Sequence, residues 1–296
     1  MKKVIILIII FTLTGCNSYT ELNSLGVIHS IGIEKKDSYK LTVSILESNE
    51  INSDSLLYEV YGSTIPDIMD KLSLTLDYKI YLSHLDLLII DESIKENDLK
   101  EIINFFLNNK NTRTDFLVVT AKDIKEILKN SHRKSINNLI KINEETSKSI
   151  YTTMFDLMEA FFMQKPIYLT NIILEDKIKI NGVNKLYHNK KTLIKPDQVV
   201  YINYLLNNIG SYKSNLKCKD DYIYFNVLSS NTNEFNNKIL ITNEINITKN
   251  NCNLTKKDFN TLFNESLKEN IKDFTNKNII IQNTIRGDYE ANQIRK

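Results

Sequence analysis

Between residues 56 and 128 the sequence switches three times from a short extended-type apolar run to an amphipathic helical one. The pairs are 56–61 and 64–76, then 85–91 and 97–107, then 114–120 and 122–128. Strands separated by helices of this length predict a mixed sheet with helices packed on it. Ile65, Ile68, Met69, Leu72 and Leu76 form one apolar stripe, and Leu99, Ile102, Ile103 and Phe106 a second, each at the spacing of a helix that buries one face. Ser63 or Thr64 can cap the first helix, and Pro66 is tolerated in the first turn because its missing N–H would be unpaired anyway.

The flanking segments extend this pattern. Residues 25–34 and 39–46 read as a β-hairpin around Lys35, Lys36, Asp37 and Ser38. Gly26 and Gly32 in or beside its first strand predict a bulge or a close backbone approach, not a ligand site. Residues 131–164 read as one helix with an apolar end of Met154, Phe155, Leu157, Met158, Phe161 and Phe162, a spacing expected of core. Lys165-Pro166 should stop it. A second hairpin is expected over 177–187 and 191–194, around His188, Asn189 and Lys190, and a short helix over 196–206. The last portion predicts strands at 222–228 and 238–247, a helix over 255–274 with Thr255 and Asp258 as a capping box, and a strand at 278–282. The fold class read from this is α+β: about three small domains of mixed β-sheets with helices packed on them, after an N-terminal lipoprotein signal peptide. The expected divisions are 1–15, 16–24 as a lipidated cysteine and spacer, 25–165, 166–210 and 211–296.

The signal peptide rests on Lys2 and Lys3 followed by an apolar run over residues 4–13 and then Thr14, Gly15 and Cys16. Ten residues of helix rise only about 15 Å, half of a hydrocarbon core of about 30 Å, so this is a secretory segment and not a stable span. A small residue directly before a cysteine is the lipobox pattern. Cys16 is therefore the expected lipidation site, its thiol carrying diacylglycerol and its amine becoming the mature N-terminus. Two or three acyl chains bind membranes far more durably than one. An uncleaved anchor or a plain secreted protein are the alternatives.

Removing Lys2 and Lys3 from the 38 Lys and Arg leaves 36, equal to the 36 Asp and Glu. A neutral mature chain argues against a nucleic-acid partner, which needs surplus positive charge. No second membrane segment is expected. Cys218 and Cys252 would face an oxidising compartment; one bridge between them is allowed, but their Lys/Asn-rich surroundings leave pairing open. The Asn-dense stretch from Asn231 to Asn253 reads as loop-rich tips.

Candidate chemistry is sparse. His84 and Asp86 share one strand face and could be two metal ligands, but a hydrogen-bonded pair is the better reading without a third. Glu144 and Glu145 could serve acid-base work, but a solvated face of a polar helix is the better reading. Arg113 and Asp115 read as a structural salt bridge or cap. There is no phosphate loop, no Gly-x-Ser-x-Gly elbow and no His-Glu-x-x-His, and only 7 glycines in all. An enzyme, a cofactor and a bound metal are not expected.

The order of several short motifs after the lipobox resembles the Ger(x)C lipoproteins, the C subunits of nutrient-germinant receptors of bacterial spores. They are Glu21-Leu22-Asn23, Gly32-Ile33-Glu34-Lys35, Gly62-Ser63-Thr64-Ile65, Tyr81-Leu82-Ser83-His84-Leu85, Ile103-Asn104-Phe105-Phe106 and Arg113-Thr114-Asp115. Asn17 and Ser18 stand where that family usually has Trp-Asp, and Thr20 where it has Arg. The similarity covers roughly the first 130 residues, with Ile180-Asn181-Gly182-Val183 its clearest point in the middle. The resemblance implies three α+β domains, no catalytic activity, and a receptor complex with a polytopic A subunit and a transporter-like B subunit. It also implies anchorage on the outer face of the spore inner membrane. A generic tethered envelope lipoprotein for solute binding or assembly is the competing class.

Overall fold

The computed structural model of this chain describes residues 25–46, 56–130 and 135–287. Cys16 and the signal-peptide segment lie outside the described residues.

The expected first hairpin is β1 (Leu25–Lys35) against β2 (Tyr39–Leu46), and β3 (Leu56–Gly62) adds to β2. Then come α1 (Ile65–Thr75), the short β4 (Lys79–Tyr81), β5 (Leu87–Asp91), α2 (Glu96–Asn108), β6 (Leu117–Ala121) and α3 (Ile124–Asn130). The observed N-cap of α1 is Thr64, whose hydroxyl accepts the Asp67 N–H at 3.2 Å, with Pro66 in the first turn as expected. Helices α1 and α2 each return the chain to start a strand parallel to β1, so β4, β5 and β6 all run in its direction.

Residues expected as one helix over 131–164 form two: α4 (Ser135–Glu145) and α5 (Met154–Phe162). Tertiary hydrogen bonds override the helical pattern between them. The Ser149 hydroxyl donates to the Ile140 carbonyl at 2.7 Å, Thr170 Oγ1 accepts the Ile150 N–H at 3.0 Å, and Thr152 Oγ1 donates to the Tyr168 carbonyl at 2.6 Å. Val118 N–H donates to the Thr152 carbonyl at 2.8 Å, so this segment is held extended beside β6. Thr153 then caps α5, accepting the Asp156 N–H at 3.2 Å while Asp156 accepts the Thr153 N–H at 2.8 Å. On α5 the core expectation holds for Met154, Leu157 and Met158, which are buried, but not for Phe155 and Phe162, which are 59% and 58% exposed. They are seven residues apart and so share one face of the helix, about a quarter-turn from the buried one.

The strands β7 (Ile167–Leu174), β8 (Ile178–Tyr187) and β9 (Lys190–Ile194) follow, with β7 parallel to β6 and then antiparallel to β8. The order of the first sheet is β3-β2-β1-β5-β6-β7-β8-β9, with β4 beside β1, so strands on both sides of residue 165 are hydrogen-bonded in one sheet. Its core alternates by face. Leu88, Ile90 and Val118 pack under α1, α2 and α5, while Leu87, Ile89, Leu117 and Val119 pack under α3 and α4. Gly32 lies where α3 crosses β1: a Cβ there would sit 2.1 Å from Ile124 Cγ2, so the expected close approach is observed.

After α6 (Val199–Leu205), the second sheet runs β10 (Tyr212–Cys218), β11 (Asp221–Phe235), β12 (Lys238–Asn250) and β13 (Asn278–Gly287), with α7 (Lys256–Lys272) crossing from β12 to the parallel β13. Phe225 on β11 and Phe259 and Phe263 on α7 centre this core, with ring centroids 5.5 to 5.9 Å apart. The Asn-dense stretch is mostly strand and not loop. Asn236 and Asn237, at φ 44° and 59°, form the tight turn between β11 and β12. Isoleucines 239, 241, 245 and 247 point into the core. Thr255 caps α7 with Asp258 as expected. Cys218 and Cys252 are joined as a disulfide, with Cα atoms 6.2 Å apart.

Candidate functional site

Two of the separately read sequence candidates meet in one hydrogen-bonded chain. Asp86, just before β5, places Oδ2 3.3 Å from Nδ1 of the buried His29 on β1, and its N–H donates to the His29 carbonyl at 2.9 Å. The Asp86 carbonyl accepts Asn137 Nδ2 of α4 at 3.1 Å, and Asn137 Oδ1 accepts the Tyr151 hydroxyl at 3.0 Å. The Tyr151 N–H donates to Glu144 Oε1 at 3.0 Å, which also accepts Asn208 Nδ2 at 2.9 Å. Burial, with Glu144 next, raises the Tyr151 phenol above its ordinary range, so it remains a donor at neutral pH. The chain of bonds ties β1, β5, α4 and the segment before α5; it contains no activated nucleophile.

His84 is not part of it. Its side chain is exposed and packs its ring 5.7 Å from that of Tyr81, so the pairing of His84 with Asp86 does not form; His29 takes that place. Glu145 is exposed beside the engaged Glu144. Arg113 and Asp115 pair with each other on the surface, as a structural salt bridge. Among the described residues no group of three or more His, Cys, Asp and Glu could hold a metal ion.

A second polar cluster lies where the β1–β2 turn meets α2. Lys35 Nζ donates to Asp98 Oδ1 at 2.7 Å and to the Tyr39 hydroxyl at 3.1 Å. The Asp98 hydrogen bond, then that to Tyr39, raises the Lys35 ammonium above its ordinary range. For Asp98, burial alone would raise the carboxyl, but the bonds from Lys35 and from the Lys95 N–H outweigh it and hold it below the ordinary range. Glu101 accepts the Ile65 N–H at 3.3 Å and joins the wall of an open groove of about 520 Å³, lined also by Thr64, Pro66, Asn104, Phe105 and Lys110. No local sequence signal joins Lys35 to Asp98, because they are 63 residues apart.

The ends of β5 and β6, where open α/β sheets often bind ligands, are closed by mutual bonds. Asn171 Nδ2 donates to Glu92 Oε1 at 2.7 Å, Asn184 Nδ2 to Thr120 Oγ1 at 2.8 Å and Asn181 Nδ2 to Asn171 Oδ1 at 3.1 Å.

Comparison with known proteins adds what this geometry lacks. Residues 18–174 match the family described as the spore germination protein N-terminal domain. Spore germination protein KC of Bacillus subtilis (strain 168) is 23% identical over 203 residues, 63% of this chain and 46% of that protein. The putative spore germination protein YfkR of the same organism is 26% identical over 141 residues, 43% of this chain and 37% of that protein. The matched part thus spans less than half of either relative. The crystal structure of the GerBC protein superposes with a TM-score of 0.50 at 13% identity, covering 87% of this chain and 96% of that one, and so shares the α+β fold.

Proposed function

Because the chain belongs to the spore germination protein N-terminal domain family, and with it to the Ger(x)C proteins, we propose that it is the lipid-anchored C subunit of a spore germinant receptor. The observation that carries this reading is positional: the family match begins at residue 18, two residues after the lipobox cysteine at position 16. Diacylglycerol on Cys16 holds the body on the outer face of the spore inner membrane. No helix among the described residues is long and apolar enough to cross a membrane, so a lipid on Cys16 supplies the attachment that those helices do not.

The partners are a polytopic A subunit and a transporter-like B subunit in the same membrane. The subunit acts by binding them and not by catalysis. Supporting this, Asp86 and Glu144 are engaged in bonds that hold secondary-structure elements together. Tethering raises the effective concentration toward membrane partners without a tight interface. Nutrient signalling then requires that the partners' conformations bind this body with different affinity, because only differential affinity shifts an equilibrium.

Intact-mass analysis of the membrane fraction tests the anchor. The mature chain is expected to start at Cys16 with acyl mass attached, and Cys16→Ala to accumulate as unprocessed precursor or leave the membrane. Normal processing and retention of Cys16→Ala would refute it.

A further inference from the structure

The described fold begins at Leu25, and the end of the sheet where it does so carries exposed apolar side chains. Leu25 pairs with Lys79 of β4, and the Cβ position of Gly26 lies 3.2 Å from Tyr78 Cβ. The last turn of α1 delivers Leu74 to this end, 88% exposed, and Tyr78 follows it at 36% exposed. Leu56, the first residue of β3, pairs with Ile45 beside the same end and is 39% exposed. Asp77 and Lys79 are both exposed here and balance in charge.

Resting on the reading that Cys16 is acylated, we infer that this end of the first sheet, centred on Leu74, Leu56 and Tyr78, seats in the lipid surface. Leu25 follows Cys16 by nine residue steps. At about 3.3–3.6 Å per residue, even a fully extended linker keeps Leu25 within about 30 Å of the acylated cysteine. Among the described residues, the exposed large apolar side chains at this end are Leu74, Leu56 and Tyr78, a composition that seats in the headgroup boundary. Insertion here depends on apolar contact and not on anionic lipid, because the sequence linking β2 to β3 carries Glu47, Glu50 and Asp54 and no Lys or Arg. The opposite end of the same strand β3, at Tyr61, then faces away: it lies five residues from Leu56, about 17 Å along the strand.

The chain has no tryptophan, so each substitution Leu74→Trp, Leu56→Trp or Tyr61→Trp makes a single reporter at an exposed position. The full acylated chain is reconstituted in phosphatidylethanolamine/phosphatidylglycerol vesicles with or without brominated acyl chains, and tryptophan emission is read. Leu74→Trp and Leu56→Trp are expected to be quenched about twofold, as befits rings seated about 5–10 Å into the headgroup boundary. Tyr61→Trp should be unquenched, and 0.5 M salt should not reduce the quenching at the other two positions. Co-flotation with vesicles and the acyl mass on Cys16 are read on the same samples. If the chain floats but Leu74→Trp and Leu56→Trp are unquenched, or all three positions quench alike, the edge placement is overturned while the anchor stands. If Cys16 carries no lipid yet Leu74→Trp and Leu56→Trp alone are quenched, the anchor falls and the edge placement holds. If neither is seen, both fall.

Discussion

Lys35 and Asp98 show how a single contact sets a pH window. Both are partly buried, and the Asp98 carboxyl lies below its ordinary range while the Lys35 ammonium lies above its own. The Asp98 contribution is full above an unfolded pKa of about 3.9 and is lost as pH falls through the lower folded value. The Lys35 contribution is full below about 10.4 and is lost as pH rises through the higher folded value. A double-mutant cycle with Lys35→Met and Asp98→Asn, read by urea unfolding, should give a coupling of about 1 kcal/mol at pH 7 that fades below about pH 4. Coupling that is unchanged at pH 3 would contradict this. Gly32 offers a second residue-scale test. A Cβ there would lie 2.1 Å from Ile124 Cγ2, so Gly32→Ala should cost about 1–3 kcal/mol through overpacking, and Ile124→Ala in the same chain should recover part of it. Equal, additive losses would argue against that contact. Gly32 is legible in the sequence because a glycine inside a strand has few reasons to be there. The Lys35–Asp98 bond is not, because only the fold brings those residues together.

At the scale of elements, local signals worked where they were self-contained. Thr64 with Pro66, Thr255 with Asp258, and the helical stripes on α1 and α2 all specify structure over one or two turns. The break between α4 and α5 depends instead on Thr170 and Tyr168 of β7, residues that periodicity does not link to Ile150 and Thr152. One local sign was there: Thr153 followed by Asp156 is a capping box in the middle of an apparent helix. Thr153→Ala should therefore destabilise the protein by about 1 kcal/mol in thermal or urea unfolding, and Thr153→Ser should restore most of it. A neutral Thr153→Ala would mean that the bridge to Leu117 alone sets the start of α5. The long β11–β12 hairpin was hidden for a different reason. Asparagine has low strand propensity, yet Asn243 is buried on the isoleucine face of β12, donating to Asn283 Oδ1 at 2.8 Å, Asn246 lies between Ile245 and Ile247, and Asn236 and Asn237 supply the two left-handed turn residues. The exposure of Phe155 and Phe162 was hidden because a pattern of apolar residues does not say which of two apolar faces is covered.

At the scale of the molecule, the α+β class and the strand-helix alternation of the first sheet follow from the sequence, and the match over residues 18–174 agrees with the order of short motifs that resembled the Ger(x)C lipoproteins. The candidate sites did not emerge so cleanly. Asp86 and Glu144 were visible as ionisable residues, but their role as ties between β1, α4 and the segment before α5 depends on His29, Asn137 and Tyr151, which no spacing singles out. The engagement of Asp86 and Glu144 in ties between elements fits the proposed role of a subunit that works through its surface. The most direct measurement is the nutrient response of spores lacking this chain, followed by loss of optical density and by release of spore solutes. The account predicts that response to the cognate nutrient is abolished, that the intact gene restores it, and that germination by nutrient-independent triggers proceeds at the parental rate. Normal response to every nutrient that the parent detects, in spores with no related C subunit to substitute, would contradict it.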